Sequence, residues 1–241
     1  MKDGPQDHVN EPPSRVTFLR HGESVLNLRR EGFCFADEAE RNSALADGLS
    51  LANQDTPLTP RGVTQSERAG ERLYACIGIP SVIYCSPHLR ARQTLDAIKS
   101  AWPKGTFEPP VIYDTRVRER ESAPVSMMTQ KEVQDHFPWL QWYHGQVGNF
   151  YFRYPMGESL ADVVDGRARQ FIFGLNRKVV GDNVLVVTHG NFMRCSRFIL
   201  ERWDPEDLRG PGVAAVPNCG ILRYELNFAG FARSLQLVAI E

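Results

Sequence analysis

Neither charge is in excess in this chain: 28 basic residues stand against 29 acidic ones, for a formal net charge of −1. That balance lacks the electrostatic footprint of a nucleic-acid or membrane-surface protein, so neither is expected as a partner. No stretch approaches the roughly 20 apolar residues of a spanning helix. The opening MKDGPQDHVNEPPSR is polar and proline-rich, without the apolar segment of a secretory signal. Residues 1–14 are expected to form a mobile tail. Cysteines are few and odd in number, at 34, 76, 85, 195 and 219, and no C-x-x-C occurs. Cys76, Cys85 and Cys195 lie in apolar-periodic segments. The pattern predicts reduced, buried thiols in a cytoplasmic protein and not a disulfide framework or a zinc site. Internal repeats and low-complexity tracts are also missing.

What is present is ordinary globular material: 241 residues, 42 % hydrophobic and 24 % charged. Residues 15–241 are expected to fold as one domain. Strand and helix signals alternate, which predicts an α/β fold with a mostly parallel central sheet. Strands are expected at 15–19 (RVTFL), 81–85 (SVIYC), 111–113 and 183–188 (NVLVVT). Two more, at 220–226 and 234–240, should close the sheet as an antiparallel hairpin turning at 228–230. Thr59-Pro60 signals a helix start, with Val63, Ser66, Gly70, Leu73 and Cys76 or Ile77 on one face and Gly78 as the stop. Ser86-Pro87 carries the same start signal, ahead of Leu95, Ile98 and Trp102. Two further helices are expected in SLADVVDGRARQFIFGLN and NFMRCSRFILERW. Two stretches interrupt the alternation, a polar one at about 30–54 and an aromatic-rich one at about 122–155. Segments of this kind hung on a sheet form lids and substrate walls, or satellite clusters of their own.

Ligands of an open parallel sheet bind beyond the carboxyl ends of its strands. Arg20, His21 and Gly22 follow the first strand. A helix whose first turn holds Arg90 follows the second, and His189 and Gly190 follow NVLVVT. Two arginines and two histidines thus converge on one rim. Paired guanidiniums grip a tetraoxyanion, a neutral imidazole is a competent nucleophile toward a phosphoryl group, and a second histidine can stabilise the developing charge. An acid must also protonate the departing oxygen. Several acids are available, Glu121 among them, and Glu119, which follows the short strand at 111–113, could reach the rim. Ser24 and Glu23, like Glu158-Ser159, read as helix starts. His8, His88, His136 and His144 read as surface or structural residues. Arg29, Arg30, Arg153 and Arg194 are candidates to extend the positive pocket.

LRHGES with Asn27, DTPLTPRGVTQ, SPHLRARQT, RVRER, YPMGES, VVTHG and PNCG occur in the order seen in the histidine phosphatase superfamily, the phosphoglycerate-mutase-like group. The resemblance runs from about Arg15 to the end of the chain. It implies a three-layer αβα sandwich. It also implies that His21 is phosphorylated during turnover, that Arg20, Asn27, Arg90, His189 and Gly190 bind the phosphate, and that Glu119 is the acid. Neither metal nor cofactor is implied. The chain departs from its relatives in ERESAPV, where they commonly carry an aromatic residue and a glycine after the acid. Mutases of the group carry a long basic insertion there, whereas this interval is shorter and aromatic. NFYFRYPMGESLADV resembles the phosphatase-like branch. The expectation is therefore a metal-independent phosphomonoester hydrolase acting on a small phosphorylated substrate, its aromatic stretch walling a flat or sugar-like body. The alternatives are a phosphoglycerate mutase-type transferase and a pseudoenzyme that only binds phospho-ligands. Oligomeric state is left open, a dimer included.

Overall fold

The computed structural model describes residues 13–29, 34–122, 124–175, 181–208, 216–227 and 232–238. A sheet of six strands forms its centre: β1 (Arg15–Arg20), β2 (Val82–Cys85), β3 (Val111–Tyr113), β4 (Asn183–Thr188), β5 (Ile221–Asn227) and β6 (Ala232–Val238), in the order β3-β2-β4-β1-β5-β6. β3, β2, β4 and β1 are mutually parallel, while β5 runs antiparallel to β1 and β6 antiparallel to β5. The expected α/β fold with a mostly parallel sheet is thus observed. The expected turn at 228–230 lies outside the described residues, as do residues 1–12 of the expected tail.

Helices are α1 (Val25–Arg29), α2 (Glu38–Ala46), α3 (Pro60–Ile77), α4 (Leu89–Ser100), α5 (Gln130–His136), α6 (Leu140–Tyr151), α7 (Leu160–Val163), α8 (Arg169–Phe173) and α9 (Gly190–Leu200). A π-turn at Val164–Ala168 joins α7 to α8. Alternation along each strand feeds two cores. Val16, Phe18, Val184 and Val186 pack with Leu160, Phe171, Phe192 and Met193 on one face. Leu19, Ile83, Leu185 and Val187 pack with Leu73, Leu95, Ile98 and Trp102 on the other. Three αβα layers result. Each fully buried Phe or Leu contributes about 1.5–3 kcal/mol by leaving water. No helix among the described residues is long and apolar enough to cross a membrane.

The Thr59 cap behaves as expected: its hydroxyl accepts from Gly62 N–H, Pro60 occupies the first turn, and Gly78 ends α3 at φ 65°. Two expectations need correcting. Ser86-Pro87 does not start a helix. α4 begins at Leu89 with His88 as its N-cap (φ −61°, ψ 137°), and the Ser86 hydroxyl pairs with His189 instead of capping a helix. Cys76 is exposed, because Ile77 takes the buried position at the end of α3. Of the two forms expected for the aromatic stretch, the satellite cluster is the one found. Phe152, Tyr154, Val125, Val133 and Leu140 form a satellite core with Cys34, while Trp139, Trp142 and Tyr151 remain exposed.

Candidate active site

β1 and β4 pair residue for residue, from Arg15–Asn183 to Arg20–Thr188, so both strands end at one level. His21 continues that register, its N–H donating to the Thr188 carbonyl at 2.9 Å. β2 ends alongside, with Ser86 N–H on the Val187 carbonyl. Parallel pairing therefore delivers His21, Ser86 and His189 to one rim. Gly22 allows the close approach that follows. A Cβ there would stand 2.4 Å from the Gly62 carbonyl oxygen, so the turn after β1 can rest against the first turn of α3.

His21 is buried, and its Nδ1 lies 2.7 Å from the Gly22 carbonyl oxygen. A carbonyl only accepts, so Nδ1 carries the proton and Nε2 carries the lone pair. Arg90 Nε–H donates to that Nε2 at 3.3 Å. Burial first, then the Arg90 and Arg20 guanidiniums, hold the ring well below its ordinary pKa, so it is neutral at physiological pH. Arg90, itself buried, is lowered to about 10, mainly by burial, and stays cationic. Its Nη1 donates to the Asn53 carbonyl at 2.7 Å. Arg20 Nη1 donates to the Val216 carbonyl at 2.6 Å.

His189 is fully buried, with its ring centroid 5.0 Å from that of His21. Its Nε2 lies 2.7 Å from Ser86 Oγ. Ser86 Oγ already accepts a long bond from His88 N–H, at 3.4 Å. The Ser86 hydroxyl can donate to His189 Nε2 or accept from it. Burial, then Arg90 and His21, keep this ring neutral too. His88 is not a surface residue. It is buried 4.9 Å from His189 ring to ring, and its pKa is lowered to about 3 by burial, then by Arg90.

The acid candidate stands on the loop after β3. Glu119 lines the same cavity as His21, whereas Glu121 turns its Oε1 to Ser122 N–H. That loop is gripped by Arg167, which sits on the π-turn. Arg167 donates to the carbonyls of Arg116 (2.9 Å), Arg118 (2.7 Å) and Glu119 (3.1 Å), and to both oxygens of Glu158. Glu158 also receives Arg118 in a two-point pair and the Glu121 N–H. Burial alone would raise the Glu158 carboxyl, yet Arg167, the Glu121 N–H and Arg118 hold it below the usual range. Ser159 does cap α7 as expected, and Glu158 is instead the centre of this clamp.

A cavity of about 570 Å³ brings these groups together; Arg20, His21, Asn27, Asn53, Arg90, Glu119, Arg120, Tyr154, Asn191 and Asn218 are on its wall. Asn27 Oδ1 accepts from Ser24 N–H, Ser24 Oγ and Asn218 Nδ2, so its NH₂ is what it can offer a ligand. Ser24 thus pairs with Asn27 at the start of α1, while Glu23 receives the Thr59 hydroxyl. Gly190 starts α9 against the Arg20 guanidinium, behind the wall. Tyr154 alone of the aromatic stretch reaches the cavity, so the expected aromatic wall is one ring. Arg153 pairs with Asp162 and is exposed; His136 and His144 pack on Phe137 and Phe152. His8, Arg30 and the Arg29 side chain lie outside the described residues. Arg20 Nε, Arg120 Nε and Arg120 Nη1, from arginines on the cavity wall, are buried without a partner among the described residues, as is His189 Nδ1, whose residue is not on that wall. Orphaned guanidinium N–H groups of two wall residues call for an anion, since each buried N–H left unpaired costs about 1–3 kcal/mol.

Residues 16–236 match the family model described as histidine phosphatase superfamily (branch 1). The chain is 27 % identical over 219 residues to phosphoglycerate mutase-like protein AT74 of Arabidopsis thaliana, covering 82 % of this chain but 61 % of that relative's length. It is 27 % identical over 239 residues to a 2,3-bisphosphoglycerate-dependent phosphoglycerate mutase of Nocardia farcinica, covering 88 % and 86 % of the two chains. Among solved structures, Bacillus stearothermophilus YhfR superposes with TM-score 0.69 at 22 % identity over 93 % of this chain and 96 % of that one. A mycobacterial glucosyl-3-phosphoglycerate phosphatase with VO3 superposes with TM-score 0.67 at 20 % identity over 95 % and 100 %. The fold is shared with both.

Proposed function

The chain belongs to the histidine phosphatase superfamily, branch 1, and from that premise we propose that it is a metal-independent phosphomonoester hydrolase working through a phosphohistidine on His21. The observation that carries the reading is the His21 ring itself: neutral, with its proton fixed on Nδ1 by Gly22, and Nε2 held beside Arg90. In the proposed reaction, Nε2 attacks phosphorus and the ester P–O bond breaks. Glu119 gives its proton to the leaving oxygen. It then takes one from water, which attacks the phosphohistidine and releases phosphate. Arg20, Arg90, the Asn27 amide and His189 hold the phosphoryl oxygens, and the two guanidiniums supply the positive charge a metal would otherwise bring.

The test is hydrolysis of p-nitrophenyl phosphate in the presence of chelator by wild type and His21→Ala, with acid quenching to look for phosphate on the peptide containing His21. Turnover in chelator, lost in the variant, with label on that peptide, is the expected result. Activity abolished by chelator, or retained in His21→Ala, overturns the mechanism. Failure of both wild type and His21→Ala to turn over the ester favours a phospho-ligand-binding role. A mutase reading has one specific support, the similarity to most of the length of the Nocardia mutase. Isomerisation of 3-phosphoglycerate primed by its bisphosphate, faster than its hydrolysis, would decide for it.

A further inference from the structure

A second cavity, of about 410 Å³, opens beside the exposed face of α3. Arg61, Arg68 and Arg72 line it from one side of that helix, at intervals of seven and four residues. Thr64 and Gln65 stand between them, and Asn218 and Cys219 close the far side. No carboxylate, and no aliphatic or aromatic side chain, of the described residues lines it. Its positive charge is poorly balanced. Arg61 meets Glu23 at 3.5 Å with its own side chain 73 % exposed, a pairing that water largely screens. Arg68 makes no ion pair among the described residues. Gln65 Oε1 accepts the Glu23 N–H, so its NH₂ is the end it can offer a ligand. Asn218 also lines the catalytic cavity, where its Nδ2 donates to the His21 carbonyl and to Asn27 Oδ1. It thus stands as a partition between the two cavities.

We propose that this second cavity is a ligand site of its own, separate from the catalytic one, for a compact oligophosphate. Its volume is that of a small-molecule site and not of a protein-docking face. Guanidinium forks bind phosphate oxygens in pairs and keep their charge at any physiological pH. At the rise of a helix, Arg61 and Arg68 start about 10 Å apart along α3, and Arg68 and Arg72 about 6 Å apart. That spacing suits several phosphates in a chain better than a single one. With no apolar wall, nothing there would hold a base, a ring or an acyl chain, so the ligand is recognised through its phosphates alone. The site does not depend on the hydrolase reading.

Inorganic tripolyphosphate is the probe, titrated calorimetrically into full-length wild type, Arg68→Gln, Arg61→Gln/Arg68→Gln and Lys104→Gln. Lys104 is exposed and lines neither cavity, so its variant controls for the loss of one positive charge. Wild type and Lys104→Gln are expected to bind with the same Kd, Arg68→Gln about tenfold more weakly, and the double variant more weakly still. Hydrolysis of p-nitrophenyl phosphate and its inhibition by vanadate should be unchanged in all three variants, because none of these side chains lines the catalytic cavity. No binding by wild type, an equal Kd in wild type and Arg68→Gln, or an equal loss in Lys104→Gln overturns the site. A loss of vanadate inhibition in step with the loss of tripolyphosphate binding also overturns it, by placing the probe beside His21. Absence of hydrolysis by wild type defeats the hydrolase reading alone, since the Kd series needs no turnover.

Discussion

At the His21 end of the cavity, position is set by backbone pairing: β1 and β4 run in register to their last residues, and the catalytic candidates are the next ones out. At the Glu119 end there is no such ladder. The loop after β3 is held by side chains, with Arg167 and Glu158 binding three carbonyls and one N–H of residues 116–121. Backbone pairing at the sheet centre resists single substitutions, because no one side chain carries it. A clamp of two side chains depends on both of them, and removing one leaves the other charge uncompensated. The place of His21 is therefore built into the fold, and the place of Glu119 hangs on a few atoms.

Four measurements sharpen or break that contrast. The largest effect is expected from His21→Ala, with kcat falling by about 10⁴ or more while the melting temperature changes little, because the strand register remains. Glu119→Gln should lower kcat by about 10²–10⁴ for alkyl phosphates and much less for p-nitrophenyl phosphate, whose leaving group needs no proton. An equal loss on both esters would remove Glu119 from the acid role. Glu158→Gln should lower stability by about 2–3 kcal/mol in urea titrations and kcat by about tenfold, with vanadate inhibition nearly unchanged. A loss of vanadate binding equal to the loss of kcat would show that the two ends are not independent.

The smallest effect is a pH dependence of stability. His21, His88 and His189 are all lowered, so the folded chain keeps them neutral while the unfolded chain protonates them below about 6.5. The unfolded state then binds more protons, and stability is fully present above about 6.5 and falls as the pH drops, by up to about 1.4 kcal/mol per unit for each ring. Between pH 6.5 and about 5, before the carboxylates titrate, His88→Asn should reduce the slope by roughly one third in urea midpoints. An unchanged slope would mean that His88 takes up no proton on unfolding in that window.

The same contrast explains what could be read in advance. Arg20, His21 and His189 were legible because the strands that carry them are nearly continuous apolar runs, and the residue after such a strand lies on the rim. Glu119 was legible only with an alternative, since nothing local in RVRERE says which acid faces inward. Of the two, Glu119 lines the cavity with His21. Ser86 was misread because Ser-Pro is a sound local start signal, and a hydrogen bond to a residue 103 positions away overrode it. His88 was set aside as a lone histidine, with no pattern to mark its burial against His189. The Arg167–Glu158 clamp left no local trace. It spans 49 and 51 positions to the carbonyls it holds, and a π-turn shifts Arg167 off the regular helical face.

One small feature at the rim bears on the order in which the molecule becomes competent. The His21 carbonyl accepts two hydrogen bonds, from Asn218 Nδ2 at 3.1 Å and from the Cys219 N–H at 3.2 Å. Those donors are encoded 197 and 198 positions downstream. During synthesis His21 therefore emerges well before Asn218 and Cys219, the groups that fix its backbone. A nascent chain carries this ring long before the ring is seated, so the site can assemble only after that distant segment is available to fold.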